Sequence, residues 1–269
     1  MNIFTYWEGN CSYINKICID SIKHIYGENH IHLTADTIND FIVLPNFIKN
    51  IKHLGYKSSF IRALLLYQHG GLWLDCDIIL LNQLDEIIQN DRPMIWEEGG
   101  FPVVDDSSYA KKLELCNGIL YSPPESCWIQ KIIERFYEVG NIEDGSERTS
   151  YHKRFNNGFW CIGQRLFRDV TYDIIYDDNK NLDIGNATDF HIAEDATKWY
   201  EYWDGTISLQ NIQIGAHIFS NAYKNNYSYP KDEIYLYPSI IESLECEKDI
   251  HNKFPNSLIS QYLNSVHVT

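Results

Sequence analysis

The alternation of apolar and polar positions predicts a β-α-β beginning. Residues 2–9, "NIFTYWEG", form a short β-rich run closed by Glu8 and Gly9. Ile14, Ile17, Cys18, Ile22 and Ile25 recur at helical spacing within residues 11–26, and "HIHLT" follows as a second strand. "TADTIND" is a polar loop. In residues 56–71, "YKSSFIRALLLYQHGG", Phe60, Ala63, Leu64 and Tyr67 share one helical face, and Gly70-Gly71 supplies the stop. The apolar run "LWLDCDIILL", residues 72–81, is then a buried strand. "RPMIWEE" and "LCNGILYS" read as further strands, and "ESCWIQKIIERFYEV" as an amphipathic helix. This order predicts a layered α/β fold with at least some parallel strands.

The second half is less periodic. Residues 140–158 are polar and aperiodic, which predicts a loop that orders over a bound ligand. "FWCIGQRLFRDV" reads as a helix, "TYDIIYD" as a strand, residues 176–210 as irregular, and segments near 231–247 and 255–265 as helices. No repeat or linker divides the chain. The expectation is one domain over residues 1–269, with a helical C-terminal extension from about residue 231.

Asp75 and Asp77 interrupt the apolar run, and like charges this close repel, more so when buried. Either the pair is solvated at a strand end or it holds a cation. On a strand the two side chains point to the same side, and the carboxyl end of a strand is where α/β sheets bind ligands. Two carboxylates there suit Mg²⁺ or Mn²⁺, which takes one or two protein carboxylates plus substrate phosphates. An Asp-x-Asp tripeptide alone is common by chance.

Composition narrows the partners. A formal net charge of −15 argues against general nucleic-acid binding and against adsorption to anionic membranes. An anionic phosphate ligand would need a metal or a few placed cations. Aromatic residues are 14% of the chain, a content that suits core packing and, at a site, stacking on sugars or bases. Seven cysteines without a C-x-x-C pair form neither a disulfide framework nor a zinc pattern, which suits a reducing compartment. "MNIFTYWEGN" lacks a signal-peptide pattern, and no run of 18 apolar residues exists. The expectation is a soluble, cytoplasmic protein.

The segment Arg62, Leu66-Tyr67, Gly70-Gly71, Trp73, Asp75 and Asp77 resembles the Asp-x-Asp sugar transferases, including glycosyltransferase family 32 and the capsular polysaccharide synthesis proteins. "IFTYWEGN", "CIDSIKHIYGENHIHLT", "FIVLPNFI" and "CNGILYSPP" extend the resemblance over roughly residues 1–140. Ser59 departs from it, standing where the family has an aspartate three residues before the arginine. The resemblance implies a GT-A-like nucleotide-sugar-binding fold, with a single mixed, mostly parallel sheet flanked by helices. It further implies a nucleotide diphosphate sugar donor (a UDP-sugar first), a glycan or lipid-linked glycan acceptor, Mn²⁺ or Mg²⁺, and retention at the anomeric carbon. Surface polysaccharide synthesis, of capsule or O-antigen type, would place the enzyme at the inner membrane face.

By position, Asp77 would ligate the metal, Asp75 would touch metal or donor, and Arg62 would reach the donor sugar or its diphosphate. Ser59 stands at the donor's nucleotide end, and Asn117 faces its sugar or is a turn residue beside Gly118. Tyr6 and Trp7 stack on the base or belong to the core. His217, in "GAHIFSNAY", closes the site as a third ligand or is a core histidine. Glu97, Glu98, Asp105 and Asp106 meet acceptor hydroxyls or are solvated loop charges. Two alternatives stay open: a haloacid-dehalogenase-type phosphatase using Asp75 as nucleophile, and a carbohydrate-binding protein without catalysis. The former normally has its motif in the first strand, followed by Thr, and needs a later acidic pair such as Asp177-Asp178.

Overall fold

The computed structural model describes residues 1–49, 54–85, 87–88, 92–98, 114–140, 166–167, 170–171, 182–185, 190–192, 207–218 and 244–266. Its opening follows the apolar pattern. β1 (Ile3–Trp7), α1 (Tyr13–Tyr26) and β2 (His30–Thr34) form a parallel β-α-β unit. Ser12 caps α1 by accepting from the Asn15 N–H, and Gly27 ends it with a φ of 55°. A four-residue helix, α2 (Asn46–Lys49), precedes α3 (Leu54–His69). At the foot of α3, the Gly70 N–H donates to the Leu66 carbonyl at 2.9 Å, and Gly70 and Gly71 take φ values of 61° and 110°. Only a residue without Cβ turns there cheaply.

β3 (Gly71–Leu74) lies parallel to β1, and β6 (Glu114–Ser122) runs antiparallel to β3. β5 (Met94–Glu98) pairs with β6, and β7 (Asp183–Gly185) closes a six-stranded sheet of order β2-β1-β3-β6-β5-β7. α3 and α4 (Cys127–Gly140) cover one face of it. There Phe60, Leu64, Ile129 and Phe136 pack on Phe4, Trp73 and Leu120. The sheet is mixed and flanked by helices, as expected, with three of its five strand pairings parallel.

The long strand expected over 72–81 is two strands. The chain turns at residues 75–77, and β4 (Ile78–Leu80) joins a second sheet with β8 (Phe190–Ile192) and β9 (Gly215–His217) in the order β4-β9-β8. The single sheet of the sequence reading is therefore accompanied by another. Its strands β8 and β9 have three residues each, too few to show a period. For the same reason β7 and β8 fall in the stretch expected to be irregular.

α1 serves both sheets. Ile22 and Tyr26 pack toward Ile3 and Leu72, while Ile14, Ile17 and Cys18 meet Ile79 and Ala216. α5 (Glu247–Lys253) and α6 (Leu258–Val266) close the far side of that second core through Ile250, Leu258 and Ile259. His251 links the two helices, 3.1 Å from a Glu247 oxygen and 2.5 Å from the Ser260 hydroxyl. Of the helix expected near 231–247, residues 244–246 are not helical, and the described helices here cover Glu247–Lys253 and Leu258–Val266. The 231–243 part of that expectation lies outside the described residues, as do the 141–158 loop and the strand after Thr171. Residues 166, 167 and 170, in the expected helix, are helical, and so is Thr171, where the strand "TYDIIYD" is expected to begin. Among the described residues, no helix is long and apolar enough to cross a membrane, and six cysteines are free thiols.

Candidate metal centre

The turn between the sheets is held on every side by main-chain bonds. The Asp75 N–H donates to the Gly118 carbonyl at 2.8 Å, and the Ile218 N–H donates to the Asp77 carbonyl at 2.8 Å. From α1, the Asn15 amide donates to the Cys76 carbonyl at 3.0 Å, and the Cys76 thiol points inward to the Tyr6 carbonyl at 3.3 Å. The two aspartates therefore converge through a turn, not through the same-side geometry of a strand.

Register brings the third group. Ile78 pairs with His217 across β4 and β9, so the imidazole lies beside Asp77, with Nε2 3.0 Å from Oδ1. Its Nδ1 lies 3.4 Å from the Cys116 sulfur. One ligand atom from each of Asp75, Asp77 and His217 lies within 4.8 Å of the others. Asp77 and His217 are buried, while Asp75 keeps a quarter of its side chain exposed, 26%. Burial opposes a charged His217, but the Asp77 carboxylate and then Cys116 outweigh it, and the imidazole pKa is raised well above 6.5. A protonated His217 would offset the charge of Asp77, a task that a bound cation would take over.

Arg62 projects from α3 to the other side of Asp75. Its Nη2 is 3.1 Å from Asp75 Oδ1 and 3.3 Å from the Ser58 hydroxyl, and Nη1 donates to the Asn117 carbonyl. The guanidinium carbon sits 4.9 Å from the centre of the Trp73 ring, a cation–π contact. The Trp73 indole N–H donates to the same Asp75 Oδ1 at 2.7 Å. Arg62 is only 4% exposed, and among the described residues its Nε has no partner, so it acts on its surroundings through Asp75 and Asn117.

The other expected site residues are placed as follows. Ser59 is buried, and its hydroxyl donates to the Gly55 carbonyl of its own helix at 2.8 Å. Asn117 lies within β6, where the β5 register slips between Ile95 and Trp96, a bulge of the kind found beside active sites. Its carbonyl, not a turn, is the feature that the site uses. Tyr6 is buried and donates to Glu8 at 2.5 Å, and Lys57 pairs with the same carboxylate at 2.7 Å. Burial and then the Glu8 bond raise the Tyr6 pKa, so the phenol stays protonated. Trp7 is half-buried at the end of β1, and its indole N–H has no partner among the described residues. Asp105, Asp106, Asp177, Asp178, Ser220 and Asn221 lie outside the described residues, as do the side chains of Glu97 and Glu98. Cys116 and Gly118 were missed by sequence reasoning as site residues. Only the register that lays β6 against β3 brings them to Asp75 and His217.

Two carboxylates and one imidazole make a hard to borderline donor set. The carboxylates fit Mg²⁺ or Mn²⁺, and the imidazole nitrogen tilts the set away from Mg²⁺. The molecule is thus an α/β protein with a cation-competent site at the carboxyl end of a parallel strand. Residues 1–117 match the family model described as capsular polysaccharide synthesis protein, the resemblance that the motif segment carries. No curated protein matches the chain. Solved structures similar to it are glycosyltransferases. The PaToxG glycosyltransferase has 16% identity and a TM-score of 0.43, over 65% of this chain and 69% of its own. GlyE of Streptococcus pneumoniae TIGR4 has 10% identity and a TM-score of 0.43, over 94% of this chain and 64% of its own. The galactosyltransferase LgtC, solved with donor and acceptor sugar analogues, has 11% identity and a TM-score of 0.40, over 91% and 97%. At these values the likenesses carry no argument about substrate.

Proposed function

We propose that the chain is a metal-dependent glycosyltransferase that moves a sugar from a nucleoside diphosphate to a hydroxyl of a glycan or lipid-linked glycan, in surface polysaccharide synthesis. The observation that carries this reading is the convergence of Asp75, Asp77 and His217 within 4.8 Å, next to a buried Arg62. The match of residues 1–117 to the capsular polysaccharide synthesis family supports it. Asp75, Asp77 and His217 would hold the ion, which when bound offsets the charge of the departing diphosphate. On a chain of net charge −15, a bound diphosphate calls for a metal or a few placed cations.

Arg62 keeps Asp75 in place and screens the carboxylate pair from within. Trp7, at the end of β1 and with no partner for its indole N–H among the described residues, would help to read the base or ribose. The transfer breaks the bond from the anomeric carbon to the diphosphate oxygen and forms one to the acceptor oxygen. In a retaining reaction the released diphosphate takes the acceptor proton on the same face, so the chain needs no dedicated base. Acceptor recognition falls to side chains beyond this cluster.

The test is a thermal-shift screen of the full chain with Mn²⁺ and Mg²⁺ against nucleoside diphosphates and their sugars. Stabilisation by a nucleoside diphosphate that requires the ion is expected, and Asp77→Ala should abolish it. An Asp77→Ala protein that remains folded and binds with unchanged metal dependence would sink the assignment. The anomeric configuration of the product, read by NMR, decides retention. Release of phosphate from small phosphomonoesters through Asp75 would favour the phosphatase instead.

A further inference from the structure

Asp75 presents its two oxygens to different surroundings. Oδ1 accepts from the Trp73 indole at 2.7 Å and faces Arg62 Nη2 at 3.1 Å. Oδ2 is turned to β6, where a Cβ built on Gly118 would lie 2.9 Å from it. The same Cβ would lie 2.8 Å from His217 Cε1. One missing side chain therefore separates the two ligands that come from different sheets.

The backbone does not explain this glycine. Gly118 lies in a strand and is not among the glycines of positive φ, which are Gly9, Gly27, Gly70 and Gly71. Space explains it. A contact under about 3 Å forces something to move, which is cheap only if the neighbour is loose. Neither neighbour is loose here. Asp75 is pinned through Oδ1, and His217 is 4% exposed and held between Asp77 at 3.0 Å and Cys116 at 3.4 Å.

We infer that Gly118 and Trp73 are positioning residues of the ion site: Trp73 fixes Asp75 Oδ1 so that Oδ2 is the ligand oxygen, and Gly118 keeps open the gap that Oδ2 and His217 share. The inference rests on the proposed cation site and assigns the residues that shape it. Such supporting groups typically change metal affinity by about 10- to 100-fold when removed.

The experiment titrates the full chain with Mn²⁺, with and without UDP or GDP, and reads free and bound ion by electron paramagnetic resonance. Gly118→Ala, Gly118→Ser and Trp73→Phe are compared with the parent protein, with circular dichroism and melting of the metal-free forms as folding controls. Gly118→Ala is expected to weaken Mn²⁺ at least about tenfold beyond what the unfolded fraction explains, with some loss of metal-free melting because the new Cβ presses on Asp75 and His217. Gly118→Ser should weaken it further. Trp73→Phe keeps an aromatic ring near Arg62 but removes the N–H and part of a fully buried side chain, so it should lower metal-free melting somewhat while both weakening Mn²⁺ and altering the spectrum of the bound ion. Parent-like affinity and spectrum in folded Gly118→Ala and Trp73→Phe would overturn the inference while leaving the cation site standing. If the parent chain takes no Mn²⁺ under any of these conditions, the cation site fails and this inference falls with it. Loss of Mn²⁺ that the unfolded fraction of each variant fully accounts for, with a parent-like spectrum of the ion still bound, would make both residues merely structural and also overturn it.

Discussion

Three groups share the two terminal nitrogens of Arg62: the Asn117 carbonyl, the Ser58 hydroxyl and Asp75. A lysine offers one point of charge and cannot serve all three, nor lie flat over Trp73. Arg62→Lys should therefore cost about 2 kcal/mol in urea unfolding, the scale of a charged hydrogen bond lost in a buried setting. A stability within a few tenths of the parent would show that the guanidinium fork is dispensable. His30 gives a second prediction at this scale. Its Nε2 lies 2.9 Å from the Thr5 hydroxyl, which is also 2.9 Å from His32 Nδ1. Burial, then His32 and Lys23, lower the His30 pKa to about 4. The folded chain thus refuses a proton that the unfolded chain accepts near pH 6.5, so stability is complete above that pH and falls as pH drops toward 4. Asp20 moderates this at His32. Between pH 7.5 and 5, with allowance for partial exposure, the loss should be about 1 to 2 kcal/mol. His30→Gln should lose that much less over the same range.

The helices and the main-sheet strands were legible because each carries its own period or stop. α1 shows its apolar stripe in Ile14, Ile17, Cys18 and Ile22, and α3 ends where Gly70 and Gly71 say it must. The break at 75–77 was not legible. Leu72–Leu74 and Ile78–Leu80 are equally apolar and equally buried, and what parts them is pairing with different strands, β1 and β6 on one side and β9 on the other. Local pattern holds no record of a partner 140 residues away, which is the separation of Asp77 from His217. Ser59, which the resemblance offers as a donor residue by position, bonds to the Gly55 carbonyl within its helix, a common behaviour for a serine in a helix interior. The helix stop itself predicts a contrast between two glycines. A Cβ at Gly71 would overlap the Asn2 carbonyl, which accepts from the Leu72 N–H at 2.9 Å, and its φ is 110°. Gly27, at φ 55°, meets nothing within 4 Å. Gly71→Ala should cost at least about 3 kcal/mol, and Gly27→Ala only about 1. Equal losses in chemical denaturation would show that the approach of β1 to β3 is softer than its geometry implies.

At the scale of the molecule, the ligands of the ion are shared between two sheets. Asp75 ends a strand of the six-stranded sheet, and His217 belongs to the three-stranded one, with Asp77 in the turn between them. An ion bound by all three should clamp the sheets together, and a site drawn from one element would not. Linkage sets the size. With free ion at about 100 times its dissociation constant, the folded state gains about 2.7 kcal/mol. For a chain of 269 residues that is a rise of about 5 °C or more in melting temperature. His217→Ala removes the second sheet's ligand, so the rise should vanish even though both aspartates remain. Hydrogen exchange then locates the effect. On adding Mn²⁺ with a nucleoside diphosphate, the amide of Ile218, which bonds to the Asp77 carbonyl across the seam, should slow markedly, along with that of Asp75 in the six-stranded sheet. Those of β2 at the sheet edge should change little. Slowing confined to the six-stranded sheet, with His217→Ala melting shifted like the parent, would show that His217 is a core histidine and that the aspartates hold the ion alone.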